Sequence, residues 1–299
     1  MSILINKNTK VLIQGITGRE ASKVCGEMQA YGTKVLAGVT PGKGGQEVNG
    51  VPVYNTVKEA LANNNGINAS VVYVPPFAAK DACLEAMANG IKLLNVITER
   101  IPILDTSIIL AEAKKQNAIV VGPTSVGIIN PGECKLGPIG GNNPDRIFKK
   151  GNVAVVSKSG SMTNETSWLL RQAGYGQSIA MGIGGDVLAG FAFPDALLAL
   201  ENDKETKAIV LFGELGGTYE EQAAEIIKQK KVTKPVVAFV AGMFADYLPK
   251  SMQLGHAGAI IEGSTGSPQA KKTALANAGV LVADAHHEIV DLLKTVVKP

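Results

Sequence analysis

The fold is decided by residues 10–21, KVLIQGITGREA, which lead from a short apolar run through a glycine turn into a helical pattern. A continuously apolar strand followed by a helix is typical of a parallel α/β sheet, whose strands are buried on both faces. The turn has the spacing GxxGxxA instead of the GxGxxG of dinucleotide-binding proteins. Its glycines let main-chain amides approach an anion at the positive end of the helix. We expect a nucleotide-like ligand here, with a purely structural turn as the alternative.

The same alternation continues along the 299-residue chain, whose length suits about two domains. Residues 122–151 interrupt it with prolines and glycines, so we place the domain junction there. The prediction is an α/β protein with two tandem doubly wound parallel-sheet domains, residues 1–125 and 126–299. The predicted strands are 10–14, 34–37, 70–74, 92–96 and 118–121, then 152–156, 178–181, 208–212, 235–240 and 280–282. The predicted helices lie near 56–63, 77–89, 106–115, 161–172, 194–202, 219–229, 270–278 and 287–296.

Composition argues against several classes of protein. A net charge of +3, with scattered basic residues, does not favour nucleic-acid binding. No apolar stretch is long enough to span a bilayer and the first residues lack a signal pattern, so we expect a cytoplasmic protein that does not bind membranes. Cys25, Cys83 and Cys134 lack metal-ligand spacing, which predicts reduced packing thiols and no metal site in this chain.

Further loops follow the other strands of the first domain. Residues 40–45, TPGKGG, offer main-chain amides and the Lys43 ammonium for a second phosphate. Two more segments end the third and fourth predicted strands at the carboxyl edge, where open α/β sheets bind ligands. Together these loops predict one binding cleft. The candidate contacts in the two segments are Tyr73, Val74, Pro75, Ile97, Thr98 and Glu99.

The second domain contains His256 within residues 254–261, LGHAGAII, where small neighbours leave the imidazole accessible. A lone histidine is more often structural, and we expect His286 and His287 to face solvent without a role. Three glycine turns follow strands in the same domain, however, and one of them carries Glu214. This carboxylate could accept the imidazole N–H and so fix which ring nitrogen is the nucleophile. The turns are 157–161 (SKSGS), 182–186 (GIGGD) and 213–217 (GELGG).

Nearly the whole chain resembles the α subunits of the succinyl-CoA synthetase family. The resemblance rests on the motifs GVTPGKGG, YVP, ITE, SKSG, GIGGD, GELGG and GHAGAII. It implies a Rossmann-like domain that binds coenzyme A, followed by a flavodoxin-like ligase domain. The implied CoA-binding residues are Thr17, Gly18, Arg19, Glu20, Lys43, Tyr73, Val74, Pro75, Ile97, Thr98 and Glu99.

The resemblance also implies a reaction and a partner. His256 matches the histidine that a nucleoside triphosphate phosphorylates and a carboxylic acid then attacks, and Glu214 matches its carboxylate partner. ATP or GTP, with Mg²⁺, would bind a separate β subunit that has an ATP-grasp domain. The chain would then be inactive as a ligase alone and active in an αβ or (αβ)₂ complex.

One departure from the family concerns the acid. Family members that act on succinate usually read SRSGTLTYE where residues 157–165 read SKSGSMTNE, so that Asn164 replaces a substrate-contacting tyrosine. SGSMTNE, with KLGPIGG upstream, is closer to ATP-citrate lyase and citryl-CoA synthetase. Ala21 also replaces the family's usual glycine. We expect succinate as the acid, with citrate as the alternative. The implied substrate- and phosphate-binding residues are Ser159, Gly160, Ser161 and Asn164.

Two functions from other classes stay open at this point. One is a CoA-binding regulatory module that has lost transfer activity, which failure to become phosphorylated with any partner would support. The other is an NAD-dependent dehydrogenase, suggested only by the strand–turn–helix start and disfavoured by its glycine spacing.

Overall fold

The computed structural model describes residues 3–247, 256–259 and 266–299. Within these ranges the chain forms two seven-stranded sheets packed against helices. Most neighbouring strands are parallel, and short antiparallel strands complete one edge of each sheet. The predicted α/β class is therefore confirmed, with sheets that are dominated by parallel strands but mixed.

The elements lie close to the predicted ones. The strands are β1 (Lys10–Gln14), β2 (Lys34–Val39), β3 (Glu47–Val48), β4 (Val51–Tyr54), β5 (Ala69–Val72), β6 (Leu93–Val96), β7 (Ile119–Val121), β8 (Gly127–Asn130), β9 (Cys134–Leu136), β10 (Lys150–Ser157), β11 (Gln177–Gly182), β12 (Ala208–Glu214), β13 (Val236–Ala241) and β14 (Leu281–Ala283). The helices are α1 (Arg19–Ala30), α2 (Val57–Asn63), α3 (Ala79–Ala88), α4 (Ile103–Lys115), α5 (Gly160–Gln172), α6 (Phe193–Glu201), α7 (Tyr219–Lys228), α8 (Pro268–Asn277) and α9 (Glu288–Lys294), with 3₁₀ turns at Pro76–Ala78, Pro144–Arg146 and Met243–Tyr247.

The first sheet has the strand order β3-β4-β2-β1-β5-β6-β7. Strand β1 is central and pairs in parallel with β2 on one side and β5 on the other. The crossovers therefore diverge at β1, and this switch point is where open α/β sheets leave a crevice for a ligand. The β3–β4 hairpin was not predicted, although the dipeptide Asn49–Gly50, with φ of 51° and 77°, is a strong signal for a tight hairpin turn.

The second sheet has the strand order β14-β13-β12-β10-β11-β8-β9. Strands β8 and β9 lie in the stretch where only a domain junction was predicted, and β8 pairs antiparallel to β11. Gly127 permits the close pairing of β8 with β9, because a Cβ there would lie 2.1 Å from the Leu136 carbonyl oxygen of β9. The boundary between residues 125 and 126 stays a prediction, which the change of sheet between β7 and β8 supports.

The two sheets are joined by buried contacts between α1 and β9. The Thr33 hydroxyl, just after α1, donates to the Lys135 carbonyl oxygen at 2.8 Å. The Lys135 side chain is fully buried, and its Nζ donates to the carbonyl oxygens of Ile139 (3.1 Å) and Gly141 (2.6 Å). This lysine also lies 3.7 Å from Glu27 of α1, so one side chain connects the first domain with the 137–141 loop of the second.

The sequence predicts packing roles for the three cysteines and solvent exposure for His286 and His287. All three cysteines are buried and free of disulfides, as expected for packing thiols, and burial raises the pKa of Cys83 to about 12. His287 is exposed, as predicted, but the prediction for His286 was wrong. His286 Nε2 lies 2.9 Å from the Thr166 hydroxyl, and its ring packs edge-on against two phenylalanines from adjacent strands, Phe212 and Phe239. No helix in the described ranges has the length and apolarity needed to cross a membrane.

Candidate active site

The centre of the site is a histidine–carboxylate pair. Glu214 ends β12, and its Oε1 lies 2.7 Å from Nδ1 of His256. A carboxylate accepts hydrogen bonds, so this contact assigns the proton to Nδ1 and leaves the lone pair on Nε2. The imidazole is 37% exposed and the Glu214 side chain 15%, so the pair is accessible from one side only. Of the predicted segment 254–261, residues 254, 255, 260 and 261 lie outside the described residues.

The charges around His256 come from both domains. The hydrogen bond that the imidazole donates to Glu214 raises the pKa of His256 above its ordinary value, while partial burial acts in the opposite direction. The Lys158 ammonium also lowers that pKa, and the Glu99 carboxylate raises it. Glu99 follows β6 of the first sheet, so a charge from the carboxyl edge of that sheet acts on His256.

The turn GIGGD provides the space in which the imidazole lies. A Cβ at Gly185 would come within 2.4 Å of His256 Cγ and Nδ1. The main chain at Gly258 donates to the Gly185 carbonyl oxygen at 3.0 Å, which holds the histidine turn against GIGGD. The glycine of this turn therefore has a packing role beside His256.

The SKSGS turn begins α5 at the same sheet edge, because Ser157 of β10 pairs with Gly182 of β11 and Phe212 of β12. Ser159 caps the helix, and its Oγ accepts from the main-chain N–H of Met162 at 3.4 Å. Gly160 and Ser161 form the first turn of the helix, and Ser161 is exposed. This N-terminus carries partial positive charge at the edge where Glu214 and His256 lie.

Asn164, the residue that departs from the family pattern, contacts the 137–141 loop. Its Oδ1 accepts from the main-chain N–H of Gly140 at 3.1 Å. The acceptor half of the amide therefore anchors the loop. The Nδ2 donor makes no hydrogen bond to the described residues and is available to a ligand.

In the first domain, the predicted phosphate turn has the required backbone shape. Gly15 has a φ of +81°, and a Cβ there would lie 3.1 Å from main-chain atoms of Tyr73 and Val74. Gly18 precedes α1 in an extended conformation, and no side chain caps the helix. Gly18, Arg19 and Glu20 are exposed, whereas Thr17 is half-buried and its hydroxyl lies 3.3 Å from that of Thr40. The first amides of α1 can therefore reach a phosphate.

The prediction that the TPGKGG loop offers free amides was wrong. The main-chain N–H groups of Gly42 and Gly44 both donate to Asn55 Oδ1, at 2.9 and 3.0 Å, and that of Lys43 donates to the Thr40 carbonyl oxygen at 3.0 Å. The cause is strand β4, which was not predicted and which places the next residue, Asn55, in contact with the loop. The exposed Lys43 side chain can still contribute to phosphate binding from this loop.

The first-domain segments 73–75 and 97–99 both follow strands at the carboxyl edge of the sheet, but their side chains differ in accessibility. Tyr73 has a buried hydroxyl without a hydrogen-bond partner among the described residues, and burial raises its pKa strongly. The Thr98 hydroxyl is used to donate to the Val74 carbonyl oxygen at 2.7 Å. These residues can therefore offer mainly their main chain to a ligand, whereas Pro75 and Glu99 are exposed and Ile97 is half-buried.

Sequence reasoning missed a cavity beside the histidine. It has a volume of about 270 Å³ and is lined mostly by apolar groups. The cavity was hard to predict from the sequence, because its lining combines a leucine within GELGG with residues that follow a different strand. The lining residues are Glu214, Leu215, Ala241, Gly242, Phe244, His256 and Ala259.

Comparison with known proteins agrees with this division of the chain. The family described as CoA binding domain matches residues 6–100, and the family described as CoA-ligase matches residues 156–291. The first match disfavours the dehydrogenase alternative. The solved structure of ATP citrate lyase from Methanothrix soehngenii, in complex with citrate and coenzyme A, superimposes with a TM-score of 0.91 at 29% identity. That similarity covers 99% of this chain, which spans about half (52%) of the lyase chain.

Curated relatives are more similar in sequence. The chain is 48% identical over 298 residues to succinate–CoA ligase [ADP-forming] subunit alpha 1 of Archaeoglobus fulgidus, covering 100% of this chain and 99% of the relative. It is 47% identical over 301 residues to the corresponding alpha subunit of Aquifex aeolicus, covering 100% and 95%. On this similarity over its full length, the chain belongs to the family of succinate–CoA ligase alpha subunits.

Proposed function

We propose that this chain is the α subunit of an acid–CoA ligase that forms succinyl-CoA from succinate, CoA and a nucleoside triphosphate through phospho-His256. The observation that carries the proposal is the 2.7 Å contact between Glu214 and His256 Nδ1, which leaves Nε2 as the nucleophile. The names of the full-length relatives support the reaction and the need for a second subunit.

The first step is transfer of the terminal phosphoryl group from the nucleotide to His256. The neutral imidazole attacks through Nε2, an N–P bond forms, and the bond from phosphorus to the bridging oxygen breaks so that the nucleoside diphosphate leaves. Positive charge develops on the ring during this step. The Glu214 carboxylate, already hydrogen-bonded to Nδ1, stabilises that charge without rearrangement.

The second and third steps make the thioester. A succinate carboxylate oxygen attacks the phosphorus, which releases His256 and forms succinyl phosphate. The CoA thiolate then attacks the acyl carbon, the C–O bond breaks, and inorganic phosphate leaves. The N-terminus of α5, with Ser159, Gly160 and Ser161, would hold the phosphoryl group during this transfer.

Coenzyme A would bind the first domain at the N-terminus of α1, residues 17–20, with Lys43 as an additional cation. Glu99, whose carboxylate acts on the charge of His256, follows β6 at the carboxyl edge of this domain, and the thiol would approach from that edge. In this proposal the nucleotide and Mg²⁺ bind a β subunit with an ATP-grasp domain, in a cytoplasmic αβ or (αβ)₂ complex.

The test is CoA-dependent ADP and GDP release by this chain co-purified with its β subunit, with succinate, citrate, malate and acetate as acids. We expect succinate to support the highest kcat/KM and His256→Asn to abolish release with every acid. Activity of the His256→Asn complex would refute the phosphohistidine route. A complex that is never phosphorylated would favour the regulatory-module alternative.

A citrate-specific ligase is the second candidate. Two observations favour it: the similarity to a lyase solved with citrate and CoA, and the free Nδ2 donor of Asn164, which suits an additional carboxylate or hydroxyl. In that case citrate would dominate the same panel, and Asn164→Tyr would lower citrate turnover more than succinate turnover. Equal effects on both acids would remove Asn164 from the specificity determinants.

A further inference from the structure

Behind the Glu214 turn lies a buried cluster of charged side chains that the reaction steps above do not use. Lys158, Glu220 and Lys271 are each at most 2% exposed. Glu220 Oε1 lies 3.6 Å from Lys158 Nζ, and its Oε2 contacts Lys271 Nζ, which also lies 3.3 Å from the half-buried Glu221. Removing such charges from water is costly, and a buried ion cluster is by itself weak evidence for a stabilising role.

The cluster holds the turn that carries Glu214 at two points. Glu220 Oε1 accepts from the main-chain N–H of Glu214 at 3.1 Å, and Lys158 Nζ donates to the Gly216 carbonyl oxygen at 3.1 Å. The packing is close, because a Cβ at Gly213 would lie 2.8 Å from Glu220 Oε1. The position of the Glu214 carboxylate therefore depends on these two side chains.

The cluster also connects two halves of the site. Lys158 lies between β10 and Ser159, which caps α5, so it joins the start of that helix to the Glu214 turn. Its ammonium is one of the charges that act on His256, together with Glu214 and Glu99. The Glu220 carboxylate, 3.6 Å away, neutralises this ammonium.

We propose that Lys158, Glu220 and Lys271 form a positioning cluster, in which Glu220 fixes the main chain of Glu214 and balances the charge of Lys158 at the Glu214 turn. The cluster acts through Glu214 and does not touch the reacting atoms. The proposal deepens the phosphohistidine function and rests on it only for the kinetic part of the test.

The first part of the test measures the pKa of His256 by NMR titration of the full-length chain, in which three histidines give few signals to assign. Glu220→Gln keeps an oxygen that can accept from the Glu214 N–H but leaves Lys158 without its counter-charge. We expect the pKa of His256 to fall in this variant. Adding Lys158→Met restores the charge balance and should return that pKa towards the wild-type value, a non-additive rescue.

The second part measures the rate of His256 phosphorylation in the complex with the β subunit. We expect a decrease of about tenfold or more in Glu220→Gln and at least as large a loss in the double variant, which also lacks the Lys158 bond to Gly216, with the KM for CoA unchanged within about twofold. Glu201→Gln is the matched control, because Glu201 also accepts main-chain N–H groups, from Thr233 and Lys234 at 3.1 Å each, but at the opposite edge of the sheet.

The outcomes separate the two proposals. If wild-type protein is never phosphorylated, the proposed function fails, while the titration still tests the cluster. If wild-type protein is phosphorylated but Glu220→Gln leaves both the pKa of His256 and the rate unchanged, the positioning role is wrong. A double variant whose His256 pKa lies as low as in Glu220→Gln, or lower, would refute the charge-balancing role of Glu220.

Discussion

At the scale of single residues, the chemistry depends on how one imidazole is held. Glu214 accepts from Nδ1 of His256, Gly185 leaves room for the ring, and the side chain is 37% exposed. Each contact fixes a different property: the tautomer, the position of the ring and its accessibility. Substitutions at these positions should therefore have distinguishable effects.

Replacement of Glu214 by glutamine should shift the pH dependence of phosphorylation. The carboxylate raises the pKa of His256 by stabilising the imidazolium, so its removal lowers that pKa. Because the neutral ring is the nucleophile, the acidic limb of the rate profile should move to lower pH in Glu214→Gln. The maximal rate should fall by about 10²-fold, since the developing ring charge loses its partner. An acidic limb that stays in place would contradict the assignment of Glu214.

Replacement of Gly185 by alanine should displace the imidazole. The new Cβ would lie 2.4 Å from two ring atoms, which is closer than packed atoms can approach, so His256 must move away from Glu214. We expect phosphorylation to fall by at least about tenfold while CoA binding, measured by calorimetry, stays unchanged. Gly26→Ala in α1 is a suitable control, because its Cβ would meet the nearest atom at an ordinary 3.5 Å. Wild-type phosphorylation of Gly185→Ala would show that the described contact is not the reactive one.

At the scale of elements, two helix N-termini differ in a way that matches their proposed ligands. Helix α1 has no side-chain cap, and the exposed residues at its start can meet a phosphate of a bound cofactor. Helix α5 is capped by Ser159 and begins at the sheet edge that carries Glu214. The first is suited to a ligand that stays bound through phosphate groups, and the second to a phosphoryl group in transfer.

Lys43→Ala should weaken CoA binding without slowing the chemistry. The loop amides are engaged with Asn55 and Thr40, so the ammonium is the contribution that this loop can make to a phosphate. We expect the KM for CoA to rise by about three- to tenfold at low salt, with kcat at saturating CoA unchanged. The difference from wild type should shrink at high ionic strength, because exposed charges are screened. Lys58→Ala, an exposed lysine on α2, should leave the KM unchanged, and an equal effect there would contradict a specific role for Lys43.

Protonation of His286 should make the free energy of unfolding depend on pH. Burial lowers its pKa below the ordinary 6.5, so the unfolded chain binds a proton more readily than the folded chain. Stability is therefore lost as the pH falls below about 6.5. In thermal unfolding between pH 7.5 and 5, Tm should fall less steeply in His286→Asn than in wild type, although the variant loses the Thr166 contact at every pH. Parallel curves would show that His286 does not titrate as described.

The sequence predicts the parallel strands well, because strands buried on both faces are visible as apolar runs. Strand β1 has the predicted bounds, and β6 differs by one residue. Strands β8 and β9 were missed because a three- or four-residue antiparallel strand among prolines and glycines has no periodic signal. The β3–β4 hairpin was missed, although the dipeptide Asn49–Gly50 is a strong signal for a tight hairpin turn.

For the site, motifs identify residues that follow strands, and topology then brings their ends together. The Glu214–His256 contact could be predicted in this way. The role of Glu220 could not, because it belongs to an ordinary amphipathic helix, and only the packing of α7 reveals that its carboxylate lies under Gly213. The hydrogen bonds from the main-chain N–H groups of Gly42 and Gly44 to Asn55 could not be predicted either, because Asn55 lies more than ten residues away in sequence.

At the scale of the whole molecule, a series of hydrogen bonds connects the first domain with the histidine turn. Thr124, in the segment between the sheets, donates through its main-chain N–H to the Thr98 carbonyl oxygen at 3.1 Å and through its hydroxyl to Asp186 at 2.5 Å. Asp186 follows Gly185, whose carbonyl oxygen accepts from Gly258. In the proposed function, the thiol of a bound CoA and the phosphorylated histidine would meet near these contacts.

The central claim is that His256 carries the phosphoryl group, and mapping of the phosphorylation site tests it most directly. The complex with the β subunit would be incubated with Mg²⁺ and γ-labelled ATP or GTP, and the labelled peptide identified by mass spectrometry. We predict an acid-labile, base-stable label on His256 that is absent in His256→Asn and is lost on addition of succinate and CoA. A label on another residue, or a label on His256 that no acid and CoA can discharge, would contradict the account.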